Sequence, residues 1–312
     1  MLFRSRGIVE YDPGELTLTA RPGTTIAELC AELAPHAQHL PFDPPLAAAG
    51  ATLGGTVASG LSGPGAFGHG SVRDFVIGVQ IVDGTGALVR GGGKVVKNAA
   101  GFDLPKLMVG SIGRLGVMTE ISLKVFPEPA TATYVFELDD MAGALGAIAR
   151  VARGGLDVQA LEIEPPGRLV VRVAGGPSGA TERSSRLEML VGTSGVPVAD
   201  PAQVWRRLTE LEWVPEDHVV VRAAVTPRLV PAVDALAAGA PRHYANAANV
   251  AWIAWPADRD LDELERGLVA LGVAAMRLTR PPGPPLMGAR PGGAFAARVK
   301  RAIDPDGRFL EL

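Results

Sequence analysis

The sequence predicts an α+β protein of two domains, and two features of the chain support that prediction. Before the linker Pro127–Pro129, three glycine-rich loops each adjoin an apolar stretch typical of a strand. After the linker, glycines become sparse and the order strand, helix, strand, strand, helix, strand is predicted twice. The length of 312 residues suits two ordinary domains. We therefore assign residues 1–129 to the first domain and 130–312 to the second, with the last helix, Gly293–Ile303, in the second.

The composition excludes several functional classes. A net charge of −3 and an aromatic content of 5% do not favour a nucleic-acid partner. With one cysteine, Cys30, this sequence forms no internal disulfide and holds no four-cysteine iron–sulfur cluster. Its apolar runs are short and broken by glycine, which argues against a transmembrane helix, and Met1–Arg6 lacks a secretory pattern. We expect a cytoplasmic protein, either free or peripheral at the inner face of the cell membrane through a larger complex.

The glycine-rich stretch Ala51–Asp74 is the most distinctive part of the chain. Glycine adopts positive φ without steric cost and lets main-chain N–H groups approach a ligand closely. Successive N–H groups in such turns form a concave site for a phosphate or another electron-rich group. The apolar segment Phe75–Val82, a predicted strand, would support the loop rigidly. We predict a ligand site here; a glycine-rich loop that binds nothing is the alternative.

Two more glycine-rich segments follow. Gly91–Lys94 leads to Lys97, Asn98 and Asp103, which are either a polar wall of the same site or the start of a helix capped by Asp103. The sequence supports both interpretations equally. The third segment, Gly110–Thr119, leads into another predicted strand. Three such loops favour one composite pocket.

The histidines predict no metal site. His36 and His39 lie close together but without an accompanying cluster of acids or cysteines, so we interpret them as solvated loop residues. His218 and His243 stand apart in the second domain, and we interpret them as surface or packing residues.

Four segments and the chain's end identify a family. The segments are A-T-L-G-G-T-V-A-S-G at 51–60, G-S-V-R-D-F-V-I-G at 70–78, V-V-K-N-A-A-G-F-D-L at 95–104 and G-S-I-G-R-L-G-V-M-T at 110–119, and the end is K-R-A-I-D-P-D-G-R-F at 300–309. They resemble the FAD-binding subunit of bacterial glycolate oxidase (glycolate dehydrogenase), in the vanillyl-alcohol-oxidase superfamily. The resemblance implies FAD as cofactor, a PCMH-type FAD-binding domain at 1–129 and a ferredoxin-like βαββαβ cap at 130–312.

The resemblance also implies the cofactor contacts, most of them through main-chain N–H groups. Loop residues after Ala51 would lie along the pyrophosphate and ring, the G-S-V-R-D segment would continue that contact, and the third loop would meet the adenine end. The implied residues are Thr52, Leu53, Gly54, Gly55, Gly68, Ser71, Val72, Arg73, Asp74, Gly116 and Val117. For Arg73, an ion pair with Asp74 or a neighbour is the alternative to cofactor contact.

The sequence departs from the family in two places. In the family, a first subdomain with another pyrophosphate-binding loop precedes the position of Gly7. Its absence predicts either a truncated gene product or weak FAD binding, and Leu2–Ser5 matches a translated sequencing adapter, so we expect Met1–Ser5 to be artefactual. The H-G-D-x-N-x-H metal motif of related 2-hydroxy-acid dehydrogenases is also absent from the cap.

The resemblance implies a FAD-binding subunit of a multi-subunit glycolate oxidase, which oxidises glycolate and similar 2-hydroxy acids to glyoxylate with electron transfer through flavin. The implied partners are a sister flavin-containing catalytic subunit and an iron–sulfur subunit. A flavin-free scaffold of the same complex and a stand-alone FAD-dependent 2-hydroxy-acid oxidase are the alternatives. No residue is predicted to be a catalytic acid or base.

Overall fold

A computed structural model describes residues 5–93, 103–278 and 283–311 of the chain. The chain divides into two compact units: unit 1 is Met1–Glu128 together with Gly292–Leu312, and unit 2 is Pro129–Pro291. The last helix therefore belongs with the first unit and not, as expected, with the second. Its end explains why: Val299 and Ile303 pack against the apolar core of unit 1, and the amide of Gly84 donates to the carbonyl of Ile303 at 3.1 Å.

Unit 1 contains the predicted strand at Phe75–Val82, shifted to begin at Val76, and also four short elements that were not predicted: Gln38–His39, Ala66–His69, Val72–Phe75 and Phe126–Pro127. Its strands are β1 (Ile8–Asp12), β2 (Thr17–Ala20), β3 (Gln38–His39), β4 (Val76–Val82), β5 (Leu88–Gly92), β6 (Val117–Lys124) and β7 (Phe126–Pro127). Its helices are α1 (Ile26–Leu33), α2 (Leu53–Ser59), α3 (Ala66–His69), α4 (Val72–Phe75), α5 (Leu104–Met108) and, at the chain's end, α11 (Gly293–Ile303). A 3₁₀ turn, Ala34–His36, follows α1.

Unit 1 is organised around a five-stranded antiparallel sheet with the order β1-β2-β6-β4-β5. Alternate residues of a strand point to opposite faces of the sheet. Leu18 and Ile121 belong to the buried core, whereas Thr19 and Ser122 bond to each other through their hydroxyls at 2.8 Å. The glycine-rich loop between α1 and β4 thus rests on a sheet with a continuous apolar core.

Unit 2 contains the remaining elements. Its strands are β8 (Thr131–Glu137), β9 (Val158–Glu164), β10 (Arg168–Ala174), β11 (Val196–Pro197), β12 (His218–Ala224), β13 (Arg242–Ala245), β14 (Val250–Pro256), β15 (Ala274–Arg277) and β16 (Leu286–Gly288). Its helices are α6 (Met141–Val151), α7 (Ala180–Val191), α8 (Pro201–Thr209), α9 (Val230–Leu236) and α10 (Leu261–Ala270). No helix among the described residues is long and apolar enough to cross a membrane.

The sheet of unit 2 has the order β11-β8-β10-β9-β13-β14-β12-β15-β16. Strands β8 to β11 and strands β12 to β15 each form a ferredoxin-like half, with the first and third strands central. The two halves join where β9 pairs with β13, through Tyr244 and Ile163. This confirms the predicted fold class, in which the βαββαβ order occurs twice. The sequence did not reveal the short strand β13 or helix α8, which lies between the two halves.

Candidate functional site

Helix α2 begins within the glycine-rich loop, and its first turn is held by the chain itself. The Thr52 hydroxyl caps the helix by accepting a hydrogen bond from the amide of Gly55 at 3.2 Å. The amides of Leu53 and Gly54 donate to main-chain carbonyls just after β2, each at 2.8 Å. Leu53 is also fully buried. Three of the predicted cofactor-contact amides thus already have partners inside the protein.

The two adjacent glycines of α2 have opposite surroundings. A Cβ on Gly54 would lie 2.6 Å from the Cβ of Pro22, so that only a hydrogen atom fits there. Gly55 is exposed, and a Cβ on it would approach Thr52 Oγ1 at 3.2 Å. We infer that Gly54 is needed for packing, whereas Gly55 leaves the main chain open to a ligand.

The third glycine-rich loop lies against the end of α2. The amide of Gly110 donates to the carbonyl of Val57 at 3.0 Å, and the amide of Ile112 donates to that of Ala58 at 2.8 Å. Gly60 ends the helix with φ of 68°, and a Cβ on it would lie 3.4 Å from the amide nitrogen of Gly110. The first and third loops therefore meet, as a composite pocket requires. We call this contact the glycine junction and define it by Val57–Gly60 and Gly110–Ile112.

The G-S-V-R-D segment starts helix α4 with a capping box. The amide and hydroxyl of Ser71 both donate to Asp74 Oδ2, at 2.8 and 3.0 Å. The amide of Val72 donates to the hydroxyl of buried Ser62 at 2.9 Å, and the Val72 side chain is fully buried. Ser71, Val72 and Asp74 therefore fix the loop in place through bonds within the chain.

Arg73 joins this segment to α5. The Arg73 guanidinium donates to the carbonyl of Lys106 at 2.7 Å. Among the described residues Arg73 forms no ion pair with Asp74, so its structural partner is this carbonyl. An open groove of about 380 Å³ lies beside it, lined by Arg73, Asp103, Lys106, Leu107 and Val109. Val109 Cγ1 would be 3.5 Å from a Cβ on Gly60, which places the groove next to the glycine junction.

The structure decides the interpretation of Asp103 but not that of its neighbours. Asp103 caps α5, because its carboxylate accepts a hydrogen bond from the amide of Lys106 at 3.3 Å. Its carboxylate also lies 3.4 Å from the Lys106 ammonium. Lys97 and Asn98, the rest of the proposed polar wall, lie outside the described residues.

The remaining predicted contacts lie at other places in unit 1. Gly68 is an exposed residue of the short helix α3. Gly116 is buried, and a Cβ on it would come within 2.9 Å of the carbonyl oxygen of Val82. Val117 begins β6 opposite Val82, and its side chain is 55% exposed. Gly116 and Val117 are therefore placed by strand pairing with β4.

The third glycine-rich segment was predicted to line the pocket, but Gly110, Ser111 and Gly113 were not among the implied cofactor contacts. Gly110 and Gly113 have φ of 77° and 71°, and a Cβ on either would meet nothing within 4 Å, so both leave main chain uncovered. The hydroxyl of Ser111 is buried without a hydrogen-bond partner among the described residues. The sequence G-S-I-G at 110–113 could have indicated these positions, because it places the Ser111 hydroxyl beside glycines whose main chain no side chain covers.

The residues of this region fit the cofactor that the resemblance implies. The uncovered main chain at Gly55, Gly110 and Gly113 leaves room for a flat ring or a pyrophosphate. Arg73 supplies positive charge at the groove that suits a pyrophosphate, whereas the charge of Lys106 is partly offset by Asp103, 3.4 Å away. The buried hydroxyl of Ser111 lacks a partner that a bound group would supply.

The histidines lie where packing explains them. His243 is 3% exposed and packs against Trp213 and Trp252, with ring centroids 5.2 and 6.3 Å away. His218 begins strand β12. Within residues 5–93, 103–278 and 283–311, no three histidine, cysteine or acidic side chains lie close enough to hold a metal ion.

Residues 2–92 match the family of FAD binding domains. Together with the antiparallel sheet and the glycine junction, this match indicates an FAD-binding domain in the first part of the chain, with FAD as the cofactor. The chain is similar to glycolate oxidase subunit GlcE of Escherichia coli K12, with 56% identity over 124 residues, 40% of this chain and 35% of that protein. It is also similar to glycolate oxidase subunit GlcD of Bacillus subtilis 168, with 36% identity over 40% of this chain and 26% of that protein.

A D-lactate dehydrogenase of Anaerostipes hadrus is 30% identical over 52% of this chain and 34% of that protein. The chain thus spans about a third or less of the length of these curated relatives. Among solved structures, an alkyldihydroxyacetonephosphate synthase matches with a TM-score of 0.67 at 16% identity, covering 97% of this chain and 65% of that one. At this identity the match shows the fold alone.

Proposed function

We propose that this chain is the FAD-binding subunit of a multi-subunit glycolate oxidase, which oxidises glycolate and similar 2-hydroxy acids to glyoxylate. The observation that supports the proposal most is the meeting of the first and third glycine-rich loops at the glycine junction, inside a sequence similar to glycolate oxidase subunits. When bound, FAD supplies the two-electron chemistry that oxidation of the hydroxyl-bearing carbon requires.

We propose that the cofactor lies along the residues that the resemblance implies, from Thr52 to Gly55, at Gly68, from Ser71 to Asp74, and at Gly116 and Val117. Because the amides of Leu53, Gly54 and Val72 already donate within the chain, they position the loop rather than bind a phosphate. The amides of Gly55 and Gly110 also donate within the chain, so at these glycines and at Gly113 we expect contact through the exposed main chain that no side chain covers.

We propose a sister flavin-containing catalytic subunit and an iron–sulfur subunit as partners, in the cytoplasm or at the inner face of the cell membrane. The single cysteine of this sequence does not suffice for an iron–sulfur cluster, so electrons that leave the flavin need a cluster on another chain. Among the described residues near the glycine junction we assign no catalytic acid or base, and we propose that the substrate is oxidised on the sister subunit.

The test is the flavin content of the purified chain and its reduction by glycolate. The chain alone should carry near one flavin per protein, and the flavin should be reduced by glycolate when the partner subunits are present. Gly55→Ala should lower the flavin content while the protein stays folded. Protein that never binds flavin, with or without its partners, contradicts the proposal.

A flavin-free scaffold subunit is the second candidate, and one observation favours it. The amides of Leu53, Gly54, Ser71 and Val72 are all bonded within the chain, so the loop is well formed without any ligand. A colourless chain that still co-purifies with the other subunits would support this candidate over the first.

A further inference from the structure

The turn that joins β13 to β14 has an unusual backbone. Asn246, Ala247 and Ala248 follow one another with φ of 53°, 53° and 63°, all in the left-handed region. Asparagine adopts this region more readily than other residues with a side chain, whereas the Cβ atom of alanine is sterically disfavoured there. Non-glycine residues normally visit this region singly, so three in succession store backbone strain. We call Asn246–Asn249 the left-handed turn.

Contacts within the turn and with strand β9 hold this strained conformation. The side-chain amide of Asn249 donates to the carbonyl of Asn246 at 2.8 Å. The amide of Ala247 donates to the carbonyl of Leu161 at 2.8 Å. The amide of Asn246 donates to the Glu162 carboxylate at 3.1 Å. Because Leu161 and Glu162 belong to β9, the last two bonds tie the left-handed turn to the first half of the sheet.

The strand pairing that joins the two halves of the sheet is short. Strands β9 and β13 share the single register pair of Tyr244 with Ile163. Within the second half, by contrast, β12 pairs with β14 along its whole length, and within the first half β8 pairs with β10 in the same way. A short ladder opens more readily than a long one, because fewer hydrogen bonds must break together. The junction between the halves is therefore weaker than these ladders.

Three buried polar atoms near the left-handed turn lack a hydrogen-bond partner among the described residues. They are Oδ1 of Asn246, Nδ1 of His243 and Nε1 of Trp213, whose ring centroid lies 5.2 Å from that of His243. His243 is connected to the turn through Glu162, because its Nε2 atom lies 3.2 Å from the same carboxylate. A buried polar atom without a partner is destabilising until water reaches it. Opening of the junction would hydrate these atoms and relax the turn, so both changes favour the open state.

We propose that the left-handed turn is a strained hinge between the two ferredoxin-like halves of unit 2, and that the Glu162 carboxylate keeps this hinge closed. Glu162 is fully buried on β9 and contacts both the amide of Asn246 and the ring of His243 across the junction. A hinge needs only a few loop residues that absorb a change of φ and ψ. When the bond from Asn246 to Glu162 breaks, Ala247 and Ala248 return to ordinary backbone conformations. Strand β13 then separates from β9, while the ladders within each half stay paired.

Hydrogen–deuterium exchange of the full chain tests the hinge. In the wild type, the protection factors at positions 246 and 247 should be at least about 10-fold lower than those in the β12–β14 ladder, since the junction opens locally. The double substitution Ala247→Gly and Ala248→Gly should raise protection at these positions by about 5-fold or more, because glycine relieves the strain of positive φ. Ala235→Gly, at an exposed position of helix α9, is the matched control. It should leave protection of the turn unchanged and lower the melting temperature, because glycine is a poor helix former.

Substitutions of Glu162 test the group that keeps the hinge closed. Glu162→Leu should lower protection at positions 246 and 247 by about 10-fold or more, because a hydrogen bond to a charged group is lost, while the β8–β10 and β12–β14 ladders keep their protection. Glu162→Gln retains an acceptor for the Asn246 amide and should give an intermediate value.

Two results overturn the proposal directly. One is equal protection of the turn and of the two ladders in the wild type, and the other is a fall in protection spread evenly over unit 2 in Glu162→Leu, which would make Glu162 a support of the whole unit. If Glu162→Leu does not fold, the glycine pair decides: unchanged or lower protection at positions 246 and 247 in that variant contradicts a strained hinge.

Discussion

The adjacent glycines of α2 allow a sharp test, because the structure gives them opposite roles. In Gly54→Ala, the new Cβ would lie 2.6 Å from Pro22 Cβ and 3.0 Å from the Pro22 carbonyl oxygen. Carbon atoms in contact are normally about 3.5–4.0 Å apart, so the start of α2 must move outward by about 1 Å. That movement also stretches the 2.8 Å bonds from the amides of Leu53 and Gly54.

The expected cost follows from these contacts. Overpacking of this kind costs about 1–3 kcal/mol, and each weakened hydrogen bond adds about 0.5–1.5 kcal/mol. The better helix propensity of alanine offsets about 1 kcal/mol. We therefore expect Gly54→Ala to lower the free energy of unfolding by about 2 kcal/mol, and the melting temperature by about 4–8 °C. In Gly55→Ala the new Cβ would lie 3.2 Å from Thr52 Oγ1, so a slight loosening of the Thr52 cap offsets the propensity gain and stability should stay about unchanged.

Thermal unfolding followed by circular dichroism measures the difference in stability between the variants, and flavin absorbance of the purified proteins measures the difference in cofactor content. Gly54→Ala should unfold earlier, whereas Gly55→Ala should keep its melting temperature and lose flavin. Equal melting temperatures for Gly54→Ala and wild type would show that α2 does not pack on Pro22 as described. Unchanged flavin content in Gly55→Ala would show that this helix face does not meet the cofactor.

Three further predictions concern stability. Burial alone would raise the pKa of Asp304, but Lys300 and the amides of Phe309 and Arg308 lower it to about 2 from 3.8. The contribution of Asp304 to stability is therefore lost as pH falls from 3.8 to about 2. Asp304→Asn should flatten that part of an acid-unfolding curve, and an unchanged curve would contradict the contacts. Tyr244→Phe should cost about 1.5–3 kcal/mol in chemical denaturation, because the hydroxyl donates to the Asp234 carboxylate at 2.8 Å, and a cost near zero would speak against that bond. Thr133→Val should cost about 1–3 kcal/mol, because the buried Trp205 N–H loses its acceptor, now 2.9 Å away. The same substitution should be nearly neutral in a Trp205→Phe background. Equal costs in both backgrounds would exclude a hydrogen bond between Thr133 and Trp205.

Local patterns predicted most elements, because each depends on residues close together in the sequence. The sequence pattern T-x-x-E at Thr25 and Glu28 forms a capping box at the start of α1, and Gly293–Ile303 is helical over the predicted span. Strand β13 was not predicted, because four residues give too short an alternating pattern, and its pairing with β9 and β14 depends on residues far away in the chain. Helix α8 was not predicted either. Its Trp205 packs on strands of the first half of unit 2.

The amino-acid sequence by itself determined the class of protein and the loops that form the candidate site, because glycine placement and local motifs act over a few residues. Tertiary structure alone decided which of the two glycines is exposed, since Gly54 and Gly55 differ in their distance to Pro22 and not in any local pattern. It also decided that α11 belongs to unit 1, through the packing of Val299 and Ile303 on its core and the bond from Gly84 to Ile303. Packing and charge pairing join residues that are distant in sequence, so no local sequence pattern predicts these contacts.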